Sequence, residues 1–172
     1  MTGPRKRDAN PTRGDLPRAR FETVLVATDF TRGATSAAGR AARLPLVPDA
    51  KVLILHACGT PFQGFVASGL TPSELDAYRR DRRAASLSRL RRFLESLGDR
   101  GVRWRTTVRS GDPRVEILRE AERRRADLIV LGTHGRSGVS HALLGSVAEW
   151  IVRRATRDVL VARAAPVSFD LP

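Results

Sequence analysis

The sequence predicts an α/β fold: a single-domain open parallel sheet of five strands with helices on both faces. Three observations predict it. Short apolar runs rich in β-branched residues recur at "TVLVATD" (Thr23–Asp29), "KVLILHA" (Lys51–Ala57) and "ADLIVLG" (Ala126–Gly132), and each reads as a strand buried on both faces. Segments with helical spacing and capping residues lie between them, so strands alternate with helices. A glycine-rich stretch, "GTHGRSGVSHALLGS" (Gly132–Ser146), joins a strand to an apparent helix.

Each element can be justified in chain order. Residues 1–20 are rich in Pro, Gly, Arg and Asp, lack periodicity and read as a disordered basic tail. The folded domain is expected over residues 21–165, with a short C-terminal tail at 166–172. After the strand Thr23–Asp29, the segment Thr31–Leu44 places Ala34, Ala37, Ala38, Ala41 and Ala42 at helical spacing. Gly33 and Gly39 weaken that helix, and Pro45 and Pro48 end it. The second strand is Lys51–Ala57. A loop rich in Gly and Pro follows, and Thr71-Pro72-Ser73-Glu74 then opens a long helix. Thr71 and Glu74 form a capping box, with proline at the first helical position, where its missing N–H is not needed. Leu87, Leu90, Leu94 and Leu97 define the apolar face of this helix, arginines decorate the rest, and Gly98 and Gly101 bracket its end. Val102–Arg109 alternates apolar or β-branched residues with arginine, as an exposed edge strand would. Asp112-Pro113 starts the next helix as N-cap and first residue. The fourth strand precedes the glycine stretch. Ser146 and Glu149 read as a second S-x-x-E box, opening a helix to about Ala155, and Asp158–Ala164 is the fifth strand.

Composition limits what the chain can do. With 172 residues, 41% hydrophobic and 28% charged, it can bury one substantial core. No apolar run approaches the roughly 20 residues of a membrane span, and the N-terminus has no apolar signal segment. Cys58 is the only cysteine, so an intrachain disulfide is excluded; a cytoplasmic location is expected. The net charge is +13, and Lys6 and Lys51 are the only lysines, so arginine carries nearly all of it. Arginines could neutralise nucleic-acid phosphates or simply cover solvated helix faces. The second reading is preferred, because no nucleic-acid-binding motif accompanies the charge and aromatics are only 5% of the chain. No membrane and no nucleic acid is therefore the expected partner.

In an open parallel sheet, ligands bind beyond the carboxyl ends of the strands. Gly132 lies just past the fourth strand, and glycine lets backbone approach a ligand closely. Ser146 opens a helix whose first N–H groups are unpaired and carry partial positive charge. Together these features describe an anion site, with phosphate its usual occupant. The spacing matches neither G-x-G-x-x-G nor a Gly-Lys-Ser/Thr loop, and no HExxH, CxxC or G-x-S-x-G occurs. Ser146 can cap its own helix and also donate to phosphate. His134, alone in the glycine turn, and His56, at a strand end, read as structural histidines, and Cys58 as a packing residue.

The pattern Gly132-x2-Gly135-x9-Gly145-Ser146 resembles the signature of ATP-binding universal stress proteins. "VLVATDFT", "GDPRVEILREAERRRADLIVLGTHGRSG" and "LLGSVAEWIVRRA" are similar to the same family, so the resemblance covers about Phe21 to Arg163. It implies a Rossmann-like sheet of order 3-2-1-4-5 with ATP across the strand tips. On that resemblance Ala27, Thr28 and Asp29 lie beside the adenosine. The backbone of Ala57 reads the adenine edge, and Leu131 and Gly132 form the turn under the ribose and phosphates. His134 sits in the phosphate turn, and Gly135, Arg136, Gly145, Ser146 and Val147 contact the phosphates. Mg²⁺ or Mn²⁺ would arrive with the phosphates. The resemblance further implies a stress-response sensor or adaptor, a homodimer joined through the last strand and an unidentified protein partner. The sequence shows no general base, so the protein would be at most a weak ATPase. Two alternatives are a nucleotide-free dimeric interaction module of the same fold and a basic nucleic-acid-binding stress protein.

Overall fold

The computed structural model describes residues 21–59, 71–133 and 144–164. The tails expected at 1–20 and 166–172 lie outside them. The element order is β1 (Phe21–Ala27), α1 (Arg32–Ala41), β2 (Leu46–Cys58), α2 (Pro72–Leu97), β3 (Trp104–Ser110), α3 (Pro113–Arg124), β4 (Leu128–Gly132), α4 (Ser146–Arg154) and β5 (Asp158–Ala162). All strand pairs are parallel, and the sheet order is β3-β2-β1-β4-β5.

The three central runs are apolar on both faces because both faces are covered. On β1, Val24 and Val26 face a core completed by α1 and α2, while Leu25 faces a second core completed by α3 and α4. On β2, Val52 and Ile54 join the first core and Leu53 and Leu55 the second. Each fully buried Leu or Ile contributes about 1.5–3 kcal/mol of apolar transfer. That is why the apolar runs, and not the turns, define the centre of the sheet.

Several boundaries differ from the sequence reading. β2 begins at Leu46 and passes through Pro48, which was expected to lie before the strand. The pairing jumps from Phe21↔Leu46 to Thr23↔Lys51, and Asp49 takes φ 65° in between. At that bulge no ladder N–H is required, so proline is accommodated. The buried face of α2 is Ser86, Leu90, Phe93 and Leu97, with Leu94 partly buried. Leu87 is 45% exposed. It follows Ser86 and so lies about 100° around the helix from the buried stripe. The capping box at Thr71 and Glu74 and the Asp112 cap are present, and Gly98 and Gly101 after the helix end both take positive φ. Among the described residues, no helix is long and apolar enough to cross a membrane.

Candidate functional site

β1 has β2 on one side and β4 on the other, so the direction of winding reverses between β1 and β4. Their carboxyl ends diverge there and leave a crevice. A cleft of about 420 Å³ occupies this place, walled by the ends of β1, β2 and β4 and the start of α4.

The β1 end is held by a compact set of hydrogen bonds. Thr28 is buried; its N–H donates to the Leu55 carbonyl at 2.9 Å, and its hydroxyl accepts from the Phe30 N–H at 3.0 Å. Phe30 takes φ 69°, unusual for a bulky side chain, and is held there by ring contacts with His56 and Phe93. His56 is buried, with Nδ1 2.8 Å from the Thr28 carbonyl oxygen. A carbonyl only accepts, so Nδ1 carries the proton. Asp29 Oδ1 accepts from the Thr31 N–H at 3.0 Å and from the Thr31 hydroxyl at 2.6 Å, and Thr31 in turn caps α1. Asp29 lines the cleft as well, so it both shapes the turn and faces the cavity.

At the β4 end, Gly132 has a reason the sequence did not disclose. A Cβ placed there would lie 2.7 Å from the Gly33 carbonyl carbon and 2.9 Å from its oxygen. Gly132 therefore admits the backbone of α1 against β4, as well as lining the cleft. The start of α4 corrects a second expectation. Its N-cap is Gly145, not Ser146, and no side chain caps the helix. The Gly145 N–H donates to the Thr133 carbonyl at 2.6 Å, which sets the helix start one residue before the expected box. Ser146 is consequently the first helical residue and is exposed, while Glu149 pairs with Arg153 at 3.0 Å. α1, α2 and α3 all have side-chain caps, at Thr31, Thr71 and Asp112. The uncapped helix is the one whose first residues, Ser146, Val147 and Ala148, line the cleft. Its leading N–H groups carry partial positive charge toward that space.

The structure thus gathers Ala27, Thr28, Asp29, Ala57, Leu131, Gly132, Gly145, Ser146 and Val147 around one cavity. His134, Gly135 and Arg136 lie outside the described residues. Sequence reasoning missed Arg82 of α2 and Pro113 and Ile117 of α3, which also line the cleft. Ile117 has an ordinary apolar helical position, and Arg82 is one of many arginines in its helix, so neither gave a signal. Among the described residues, no cluster of His, Cys, Asp or Glu is suited to hold a metal ion.

Comparison with known proteins agrees with this architecture. The chain is 31% identical to universal stress protein MJ0531 of Methanocaldococcus jannaschii over 144 residues, covering 83% of this chain and 82% of that protein. The solved structure of protein MJ0577 from the same organism superposes with a TM-score of 0.71 at 22% identity, covering 85% of this chain and 98% of that one. A universal stress protein crystallised in complex with cAMP superposes with a TM-score of 0.53 at 25% identity, covering 86% of this chain and all of the other. The model of the universal stress protein family matches residues 20–163, nearly the whole described fold, and the chain belongs to that family.

Proposed function

We propose that the cleft binds an adenine nucleotide, ATP foremost, and that the protein acts as a nucleotide-dependent sensor or adaptor in a stress response. The observation that carries this reading is the uncapped N-terminus of α4 opening into a cavity at the β1/β4 reversal. A phosphate oxygen would accept from the Val147 and Ala148 N–H groups in place of the missing cap, with the Ser146 hydroxyl as a further donor. The apolar floor of Ala27, Leu55 and Leu131 suits a base and sugar. The relative crystallised with cAMP carries the same two chemical parts, an adenosine and a phosphate. Gly135 and Arg136 are proposed as further phosphate contacts and His134 as their neighbour. Mg²⁺ or Mn²⁺ would enter with the phosphates rather than on a protein site.

Asp29 Oδ1 accepts from Thr31 and His56 is buried with its Nδ1–H donated to the Thr28 carbonyl, so both are read as holding the β1 turn, and no general base is assigned in this reading. Hydrolysis is accordingly expected to be slow or absent. β5 is an outer strand of the sheet, and pairing along its edge would give a homodimer, which sedimentation velocity would read directly. A monomer at all concentrations would refute that pairing.

The decisive test is nucleotide release. Protein purified without added nucleotide is denatured, and the released material is identified by chromatography and mass spectrometry. Stoichiometric ATP or ADP is the expected outcome. A protein that releases nothing and has no affinity for added ATP would favour the nucleotide-free interaction module.

A further inference from the structure

α2 is longer than the sheet needs. Its 26 residues span roughly 39 Å at about 1.5 Å per residue. Ser86 is its first buried residue, followed by Leu90, Phe93 and Leu97, and none of the positions from Thr71 to Ala85 is buried. The first half therefore forms a largely exposed overhang, and Arg82 within it lines the cleft. Local interactions and one bond to the sheet hold this overhang: the Thr71–Glu74 box, an Arg79–Asp76 pair at 3.1 Å, a contact between Arg82 and Tyr78, and the Arg83 guanidinium donating to the Val108 carbonyl of β3 at 3.2 Å. At its root, the Arg89 guanidinium lies 4.4 Å from the Phe30 ring centroid, tying α2 to the turn after β1.

Arg82 is the residue of the overhang that lines the cleft. One guanidinium nitrogen donates to the Tyr78 hydroxyl at 2.9 Å, and the group lies over the Tyr78 ring at 5.7 Å. The phenol orients the guanidinium without neutralising it, and among the described residues no carboxylate forms an ion pair with it. A guanidinium has five donors in a fork that matches phosphate oxygens. The arrangement is an oriented cation at a cavity where the start of α4 offers neutral donors, backbone N–H groups and the Ser146 hydroxyl.

We propose that Arg82 is a ligand-binding residue, delivered by the α2 overhang to a phosphate of the molecule held in the cleft. This rests on the nucleotide reading above and adds to it a charged contact from α2. It makes the cleft favour a nucleotide over its nucleoside.

The test is calorimetric titration of the parent, Arg82→Ala and Arg82→Lys with ATP and with adenosine, at low and moderate salt. Arg82→Ala should weaken ATP about tenfold, the loss of one charge-assisted contact, with adenosine unchanged. Lysine should restore part of the affinity, and the alanine variant should show a shallower salt dependence. Arg82 is exposed, so the unfolding midpoint should match the parent's. If the parent binds ATP and Arg82→Ala binds it equally well, the role of Arg82 is refuted and the nucleotide reading stands. An equal loss for ATP and adenosine would place Arg82 on the base and overturn the phosphate contact. A parent that binds neither ligand overturns both readings.

Discussion

Gly132 shows how one residue can carry two constraints. A glycine after β4 reads from sequence as room for a ligand. The structure shows that the nearest atoms a side chain would meet belong to Gly33 of α1. Gly132→Ala should therefore overpack the α1–β4 contact and destabilise the fold by about 1–3 kcal/mol, measured by urea denaturation. A stability equal to the parent's would show that α1 can shift at no cost. Loss of nucleotide binding in a Gly132 variant would therefore report on folding as much as on the site. Gly145 has an ordinary φ of −56°, so Gly145 and Ser146 are better positions for probing the cleft. That a glycine sits at 132 was legible in the sequence. Its partner was not, because Gly33 is about a hundred residues away along the chain and meets it only through packing.

Among the elements, α3 carries the most concentrated charge. Glu120 is 1% exposed and accepts from Arg109 at 2.9 Å, Arg123 at 2.9 Å and Arg124 at 2.9 Å. Burial alone would raise its pKa. The hydrogen bonds from Arg109 and Arg124 and the charges of Arg109 and Arg123 outweigh burial and hold the carboxyl below the ordinary glutamate value of 4.5. A carboxyl with a lowered folded-state pKa stabilises the protein above its unfolded value. That contribution is lost as pH falls below about 4.5 toward the lowered value. Glu120→Gln should thus cost about 1–3 kcal/mol at neutral pH, discounted because Arg123 and Arg124 are near half exposed. The gap to the parent should narrow at acid pH, as urea denaturation at pH 7 and pH 3.5 would show. A gap independent of pH would mean that Glu120 acts by shape and not by charge. The caps of α2 and α3 were legible as Thr71 and Asp112, because capping depends on residues three or fewer apart. The cap of α4 was misread by one residue, because the hydrogen bond from Gly145 to Thr133 that sets its start spans the glycine stretch.

At the scale of the molecule, the cleft draws on β1, α1, β2, β4, α3, α4 and the overhang of α2. A ligand bound there would stabilise all of them at once. ATP at a hundred times its Kd should add roughly 2.7 kcal/mol of stability and raise the unfolding temperature measurably. A thermal transition unmoved by millimolar Mg-ATP would count against the nucleotide reading. Of the arginines expected on solvated faces of α2, Arg79, Arg80, Arg91 and Arg92 are exposed, whereas Arg82 lines the cleft and Arg83 donates to the Val108 carbonyl of β3.

What the sequence determined by itself was local. It specified which runs are buried on both faces and where two helices start, because each depends on spacing within a few residues. The tertiary structure decided what depends on distant chain meeting. It set the Gly132–Gly33 approach, the coupling of His56 to Thr28 and Phe30, the three arginines around Glu120, and the projection of α2 that brings Arg82 to the cleft. Side chains with no periodic signal of their own acquire a role only when the sheet order places their elements side by side.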